Sequence, residues 1–226
     1  MATELPSGVM RTAFVLFWGL VLAVTGVTVQ AAGLQVQVRD GDGQAVENAA
    51  IVVRALDETP EPPSGQKEIV DQVDREFVPP AIVVPVSTRI LFPNNDDIRH
   101  HVYSFSEAKS FELPLYTGMP ARPIEFPNPG IVTIACNIHD WMSAHIYVVD
   151  SPWHGLTDGD GAWRASDLPA GQYSVEVWHH GLPEEQQRVG EIDLEADASV
   201  ELEATVELAA GPSPRRAPRP GRRGYR

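Results

Sequence analysis

The chain has 226 residues, 43% of them hydrophobic and 21% charged, with 18 glycines and 20 prolines. That composition suits one large or two small ordered domains made of short strands and turns, and it excludes a protein built on long helices. The net charge of −14 is unevenly spread: residues 32–210 hold 10 bases and 30 acids, which excludes a basic nucleic-acid surface and favours a basic protein partner.

The N-terminus predicts a targeting segment over residues 1–31. An apolar run from Ala13 to Val29 follows Arg11 and ends at Val29-Gln30-Ala31, with small or apolar residues where an export peptidase reads. The rival is an uncleaved membrane anchor, because the run nearly reaches spanning length. Under either reading the rest of the protein lies outside the cytoplasm, in the periplasm or beyond it. Cys136 is the single cysteine. An exported chain with one cysteine closes no internal disulfide, so this thiol is buried, paired between chains or bound to a metal.

Past the leader, Leu34 to Val38 alternates as a half-buried strand, Asp40-Gly-Asp-Gly43 signals a turn, and Ala50 to Leu56 gives a second strand. Residues 57–66 (DETPEPPSGQ) read as a linker. Strands then follow closely: Ile69 to Val73, Ala81 to Val86, Thr88 to Phe92, His101 to Phe105, Phe111 to Leu115, Pro123 to Phe126, Ile131 to Ala135 and His145 to Val149. After Ser151-Pro152 come Trp163 to Ser166, Tyr173 to Val177, Val189 to Leu194 and Val200 to Leu208. No amphipathic helix is apparent, so the fold class is all-β, an antiparallel sandwich or barrel plus a smaller β unit. Residues 210–226 carry six arginines among prolines and glycines and read as a disordered tail.

The chemistry is concentrated in IACNIHDWMSAH, which sets Cys136-x2-His139-x2-Met142 on a tight loop between two strands. A copper ion used for one-electron transfer takes a soft thiolate and two imidazoles, with a weak thioether above them. Three of those four ligand types lie within seven residues here. The fourth comes from a neighbouring strand, where FPNNDDIRHHVYSF offers His100 or His101. Zinc fits less well, since thioether is a poor zinc ligand and no second cysteine exists. His145 reads as surface or second layer, and His154, His179 and His180 as structural or solvated. Asp158-Gly-Asp160-Gly161 lacks the spacing and final Glu of a calcium loop and reads as a turn.

Asn94, a polar stretch, His-x-Val, Pro129-Gly130, a β run and then Cys-x2-His-x2-Met together resemble the plastocyanin and amicyanin family. Within it the likeness is to bacterial proteins labelled methylamine utilisation proteins, and it covers residues 66–150. The resemblance implies a Greek-key cupredoxin sandwich holding one copper ion, Cu(I)/Cu(II), on His100, Cys136, His139 and Met142. It also implies a non-enzymatic electron carrier, whose redox partner is a basic c-type cytochrome or a dehydrogenase. Two positions depart from the family. His101 stands where an asparagine commonly braces the two ligand loops, and Ile138 stands where proline is common. Trp141, Met119 and Pro120 are candidates for the apolar rim around the loop histidine through which electrons leave in that family. Copper storage or delivery, or an envelope binding module with a vestigial site, are the alternatives.

Residues 157–181 (TDGDGAWRASDLPAGQYSVEVWHHG) resemble the prealbumin-like domain appended to carboxypeptidases, and residues 34–56 resemble its first two strands. Residues 33–58 and 151–209 are therefore expected to form one prealbumin-like sandwich, with the copper unit inserted between them. Pairing of Leu34 to Val38 with the copper-site sheet would exclude this.

Overall fold

The computed structural model describes residues 31–209 except Glu185. Of the expected targeting segment, residues 1–31, all but residue 31 lie outside the described residues, as does the arginine-rich tail from residue 210, and among the described residues there is no helix. The strands are β1 Ala31–Asp40, β2 Ala50–Ala55, β3 Lys67–Ile69, β4 Asp71–Val73, β5 Glu76–Val78 and β6 Ala81–Pro85. Next come β7 Thr88–Leu91, β8 His100–Phe105, β9 Ser110–Tyr116, β10 Ile124–Phe126, β11 Gly130–Ala135 and β12 Ser143–Val149. The series closes with β13 Trp153–Leu156, β14 Ala162–Pro169, β15 Gly171–Trp178, β16 Gln186–Leu194 and β17 Ser199–Val206. The fold is all-β.

Two sandwiches result. In one, the sheet β14-β1-β17 faces the sheet β13-β2-β15-β16. Alternation places Leu34, Val36 and Val38 of β1 inward against Ile51 and Val53 of β2 and Tyr173, Val175 and Val177 of β15. Leu34 to Val38 pairs with β14 antiparallel and with β17 in parallel, while β15 pairs with β2 and β16. Leu34–Val38 and Tyr173–Val177 thus meet through side chains across the core and not through a ladder.

In the other sandwich, the sheet β6-β12-β11-β8-β9 covers the sheet β10-β7-β3. Its core holds Ile90, Phe92, Val102, Phe126, Val132, Ile134, Ile146 and Val148. The β4-β5 hairpin stands apart as a two-stranded sheet, and its Phe77 is buried in this core.

Strands β2 and β12 are apolar on both faces because both faces are covered. Ile51 and Val53 face their own core, whereas Ala50 and Val52 turn the other way. On β12, Ile146 and Val148 face inward, and Tyr147 and Val149 turn outward. Ala50, Val52, Trp178, Ala81, Ile131, Tyr147 and Val149 form a third buried cluster that joins the two sandwiches.

Candidate metal centre

The centre sits where β8 begins and β11 ends. These strands run antiparallel and Ala135 pairs with Tyr103, so the first residue of β8 lies beside the segment just after Cys136. A bulge between His100 and Val102, opposite β9, falls at this point, and such bulges re-aim a side chain. His100 is wholly buried and Cys136 is 3% exposed. The Cys136 to Met142 loop closes on itself: Cys136 N donates to Met142 O (3.0 Å) and Met142 N to His139 O (2.9 Å). That closure makes the x2 spacing productive, because it folds His139 back toward the sulfur and buries Met142 in the same core as Cys136.

Cys136 Sγ lies 3.9 Å from His100 Nδ1 and 3.7 Å from His139 Nδ1. The imidazole rings of the two histidines are 4.9 Å apart and inclined by 62°. The ligand atoms of His100, Cys136 and His139 all lie within 4.8 Å of one another, so the three can hold a metal ion. Such a donor set, one thiolate sulfur and two imidazole nitrogens with no carboxylate oxygen, fits copper. His101 is directed elsewhere: Nε2 meets Glu112 Oε1 at 2.8 Å and the ring lies against Tyr103.

Asp96 was not legible as a site residue, although it stands four positions before His100 in a polar run. Its Oδ2 lies 2.6 Å from His100 Nε2. Burial works against this carboxylate, but N–H donation from Arg75 and Asp74 and the His100 ring outweigh it and hold the carboxyl below its usual range. By accepting a hydrogen bond from Nε2–H, Asp96 favours the tautomer in which Nδ1 of His100 turns a lone pair toward the sulfur. Burial, His100 and the Arg75 cation together push His139 below the usual imidazole range, which keeps that ring neutral.

His139 is only partly buried, and the Trp141 ring lies 5.2 Å from it. Ile138 is half exposed and Met119 is 65% exposed. Met119 follows Gly118, which bridges to Asn94 in the loop that leads to His100. His154 bonds through Nδ1 to the Ser151 carbonyl. His145, His179 and His180 gather in a separate stack of rings. Asp158 Oδ1 accepts from the N–H groups of Asp160 and Ala162, so that segment is a side-chain-braced turn.

No protein-family model matches the chain, and no curated protein matches it. Among solved structures it is similar to a Cu-containing nitrite reductase from Thermus scotoductus SA-01, at 22% identity and a TM-score of 0.36, over 43% of this chain and 25% of that one. The chain therefore spans about a quarter of that enzyme. A purple cupredoxin from Nitrosopumilus maritimus is 19% identical with a TM-score of 0.32, over 38% of this chain and 100% of its own. An amicyanin variant is 17% identical with a TM-score of 0.34, over 43% and 98% of the two chains.

Proposed function

We propose that the chain is a cupredoxin-type electron carrier working outside the cytoplasm, in which His100, Cys136 and His139, with Met142 as the fourth and weaker donor, would hold one copper ion. The observation that carries this reading is the buried Cys136 sulfur with an imidazole Nδ1 on each side, at 3.9 and 3.7 Å. Bound copper would supply a one-electron couple, Cu(I)/Cu(II), and no substrate is transformed.

The protein's part is preparation. Cys136 offers the strong sulfur donor, and its burial with Met142 in an apolar core keeps water away. Asp96 fixes the tautomer of His100, and the loop hydrogen bonds fix Cys136, His139 and Met142 relative to one another. Ligands held in place before loading need little rearrangement when the charge of the centre changes. His139 is the partly exposed ligand and the point at which an electron enters or leaves.

The acidic body steers a basic partner, a c-type cytochrome or a dehydrogenase. We also read residues 33–58 and 151–209 as one prealbumin-like unit interrupted by residues 66–150. Supporting that division, β1 pairs with β14 and β17, and β2 with β13 and β15. The test of the carrier role is rapid mixing of the copper-loaded chain with a reduced basic c-type cytochrome. Fast bimolecular oxidation that slows with added salt is expected. Slow transfer indifferent to salt would point to storage or delivery instead.

A further inference from the structure

We infer that the two-residue turn Asp74-Arg75, between β4 and β5, is the brace that locks the two halves of the metal centre together. The inference rests on the copper reading of His100, Cys136 and His139. A site split between two loops needs a cross-link, or its ligands drift when the charge changes. In this chain the residue after the first ligand does not supply it, because the His101 ring meets Glu112 and Tyr103 on the β8-β9 side.

The turn reaches both halves. Asp74 N and Arg75 N donate to the two oxygens of Asp96, at 2.7 and 2.9 Å, and Asp96 holds His100. Arg75 O accepts from Trp141 Nε1 at 3.1 Å, and Trp141 lies in the ligand loop against the His139 ring. Consecutive N–H groups converging on one carboxylate form an anion-holding nest. Both positions have left-handed backbone, with φ of 53° at Asp74 and 63° at Arg75, as a two-residue type I′ hairpin turn requires. Neither residue is glycine, so the conformation is costly and persists because its surroundings determine it.

The hairpin is further sewn to the His100 loop. Gln72 N donates to Pro93 O, Asn95 N donates to Gln72 O, and Asn95 Nδ2 donates to Asp71 Oδ2. On the cysteine side, Trp141 Nε1 is the anchor. The brace is therefore hydrogen-bonded at several points toward His100 and through the indole N–H toward the His139 loop, where Phe77 of the same hairpin shares the core with Cys136 and Met142. The path from Asp96 through the turn to Trp141 is a series, so removing either end breaks it and removing both adds nothing.

Amide hydrogen exchange on the metal-free full chain tests this. Trp141→Phe keeps a ring and deletes the donor, and it should speed exchange at Asp74 and Arg75 about ten-fold. Asp96→Asn should in turn loosen the amides of Cys136 and Met142, in a loop that Asp96 does not enter. Loosening confined to the loop that carries the substitution overturns the brace. In the copper-loaded chain each variant should slow electron self-exchange about ten-fold, and the double variant no further. Slowing that multiplies to about a hundred-fold means independent effects and also overturns it. If the unmodified chain gives no thiolate–copper band, the copper reading fails, and the exchange experiment still decides the brace.

Discussion

The imidazole rings of His145 and His180 lie stacked, 3.8 Å between centroids and 6° from parallel, across the joint between the two sandwiches. His179 adds a third ring, 4.2 Å from His180. Burial, and then the neighbouring imidazoles, push His145 down to about 3 and His179 to about 4, and burial lowers His180 as well. The contacts suit neutral rings: Thr133 Oγ1 lies 3.1 Å from His145 Nδ1, and Gly181 N donates to His179 Nδ1.

Acid should therefore weaken the fold through this stack. Unfolded histidines take up protons near pH 6.5, whereas His145 waits until about 3 and His179 until about 4. The unfolded state binds more protons across that window, so stability is complete above about pH 6.5 and falls as the pH drops toward 4. We expect a loss of about 4 kcal/mol between pH 7 and pH 5, about 2 from each of His145 and His179, read from urea midpoints. His145→Gln should remove much of the slope, and an unchanged slope would contradict the assignment.

The joint itself is apolar, and Tyr147 is its largest fully buried side chain. Tyr147→Ala should cost about 3 to 4 kcal/mol, as other large-to-small changes do in packed cores. The metal-binding loop lies on the opposite side of β12, so copper uptake should survive. Calorimetry and a copper titration on the same sample check both halves of this expectation.

Gly161 closes the Asp158 turn with φ of +78°, and a Cβ there would run into the Val38 carbonyl oxygen. Gly161→Ala should lower stability by about 2 kcal/mol. Because the turn is held by the Asp158 side chain, a chelator should leave the melting temperature of the unsubstituted, metal-free protein unchanged.

Copper that binds the folded chain and not the unfolded one must stabilise it. At a free copper concentration 100 times Kd, the gain is about 2.7 kcal/mol. The melting temperature of the unmodified chain should rise on loading, and that of Cys136→Ser should rise much less. Equal rises would mean that the metal is held elsewhere.

What could be read from the sequence was whatever is local. The alternation of Leu34 to Val38 shows directly in β1, and Cys136, His139 and Met142 lie within seven residues because one loop carries them. His100 stands 36 positions from Cys136, and residue order alone did not separate it from His101. Burial and the contact with Asp96 do. Strand β5 escaped notice because its turn lacks Gly or Asn, the residues that ordinarily mark left-handed backbone. Strand β13 escaped because its side chains are all half-buried and show no alternation. The apolar runs of β2 and β12 imply covering on both faces but do not say what covers the second face. Those long-range pairings, and the carboxylate that orients His100, emerge only when the sandwiches assemble.

The central claim is tested most directly by visible absorption of the chain without residues 1–30 during titration with Cu(II), beside a Cys136→Ser control. The account predicts an intense blue or green thiolate–copper band that saturates at one copper per chain and is missing in the control. A chain that binds copper weakly with no such band, or whose band persists without Cys136, would contradict it.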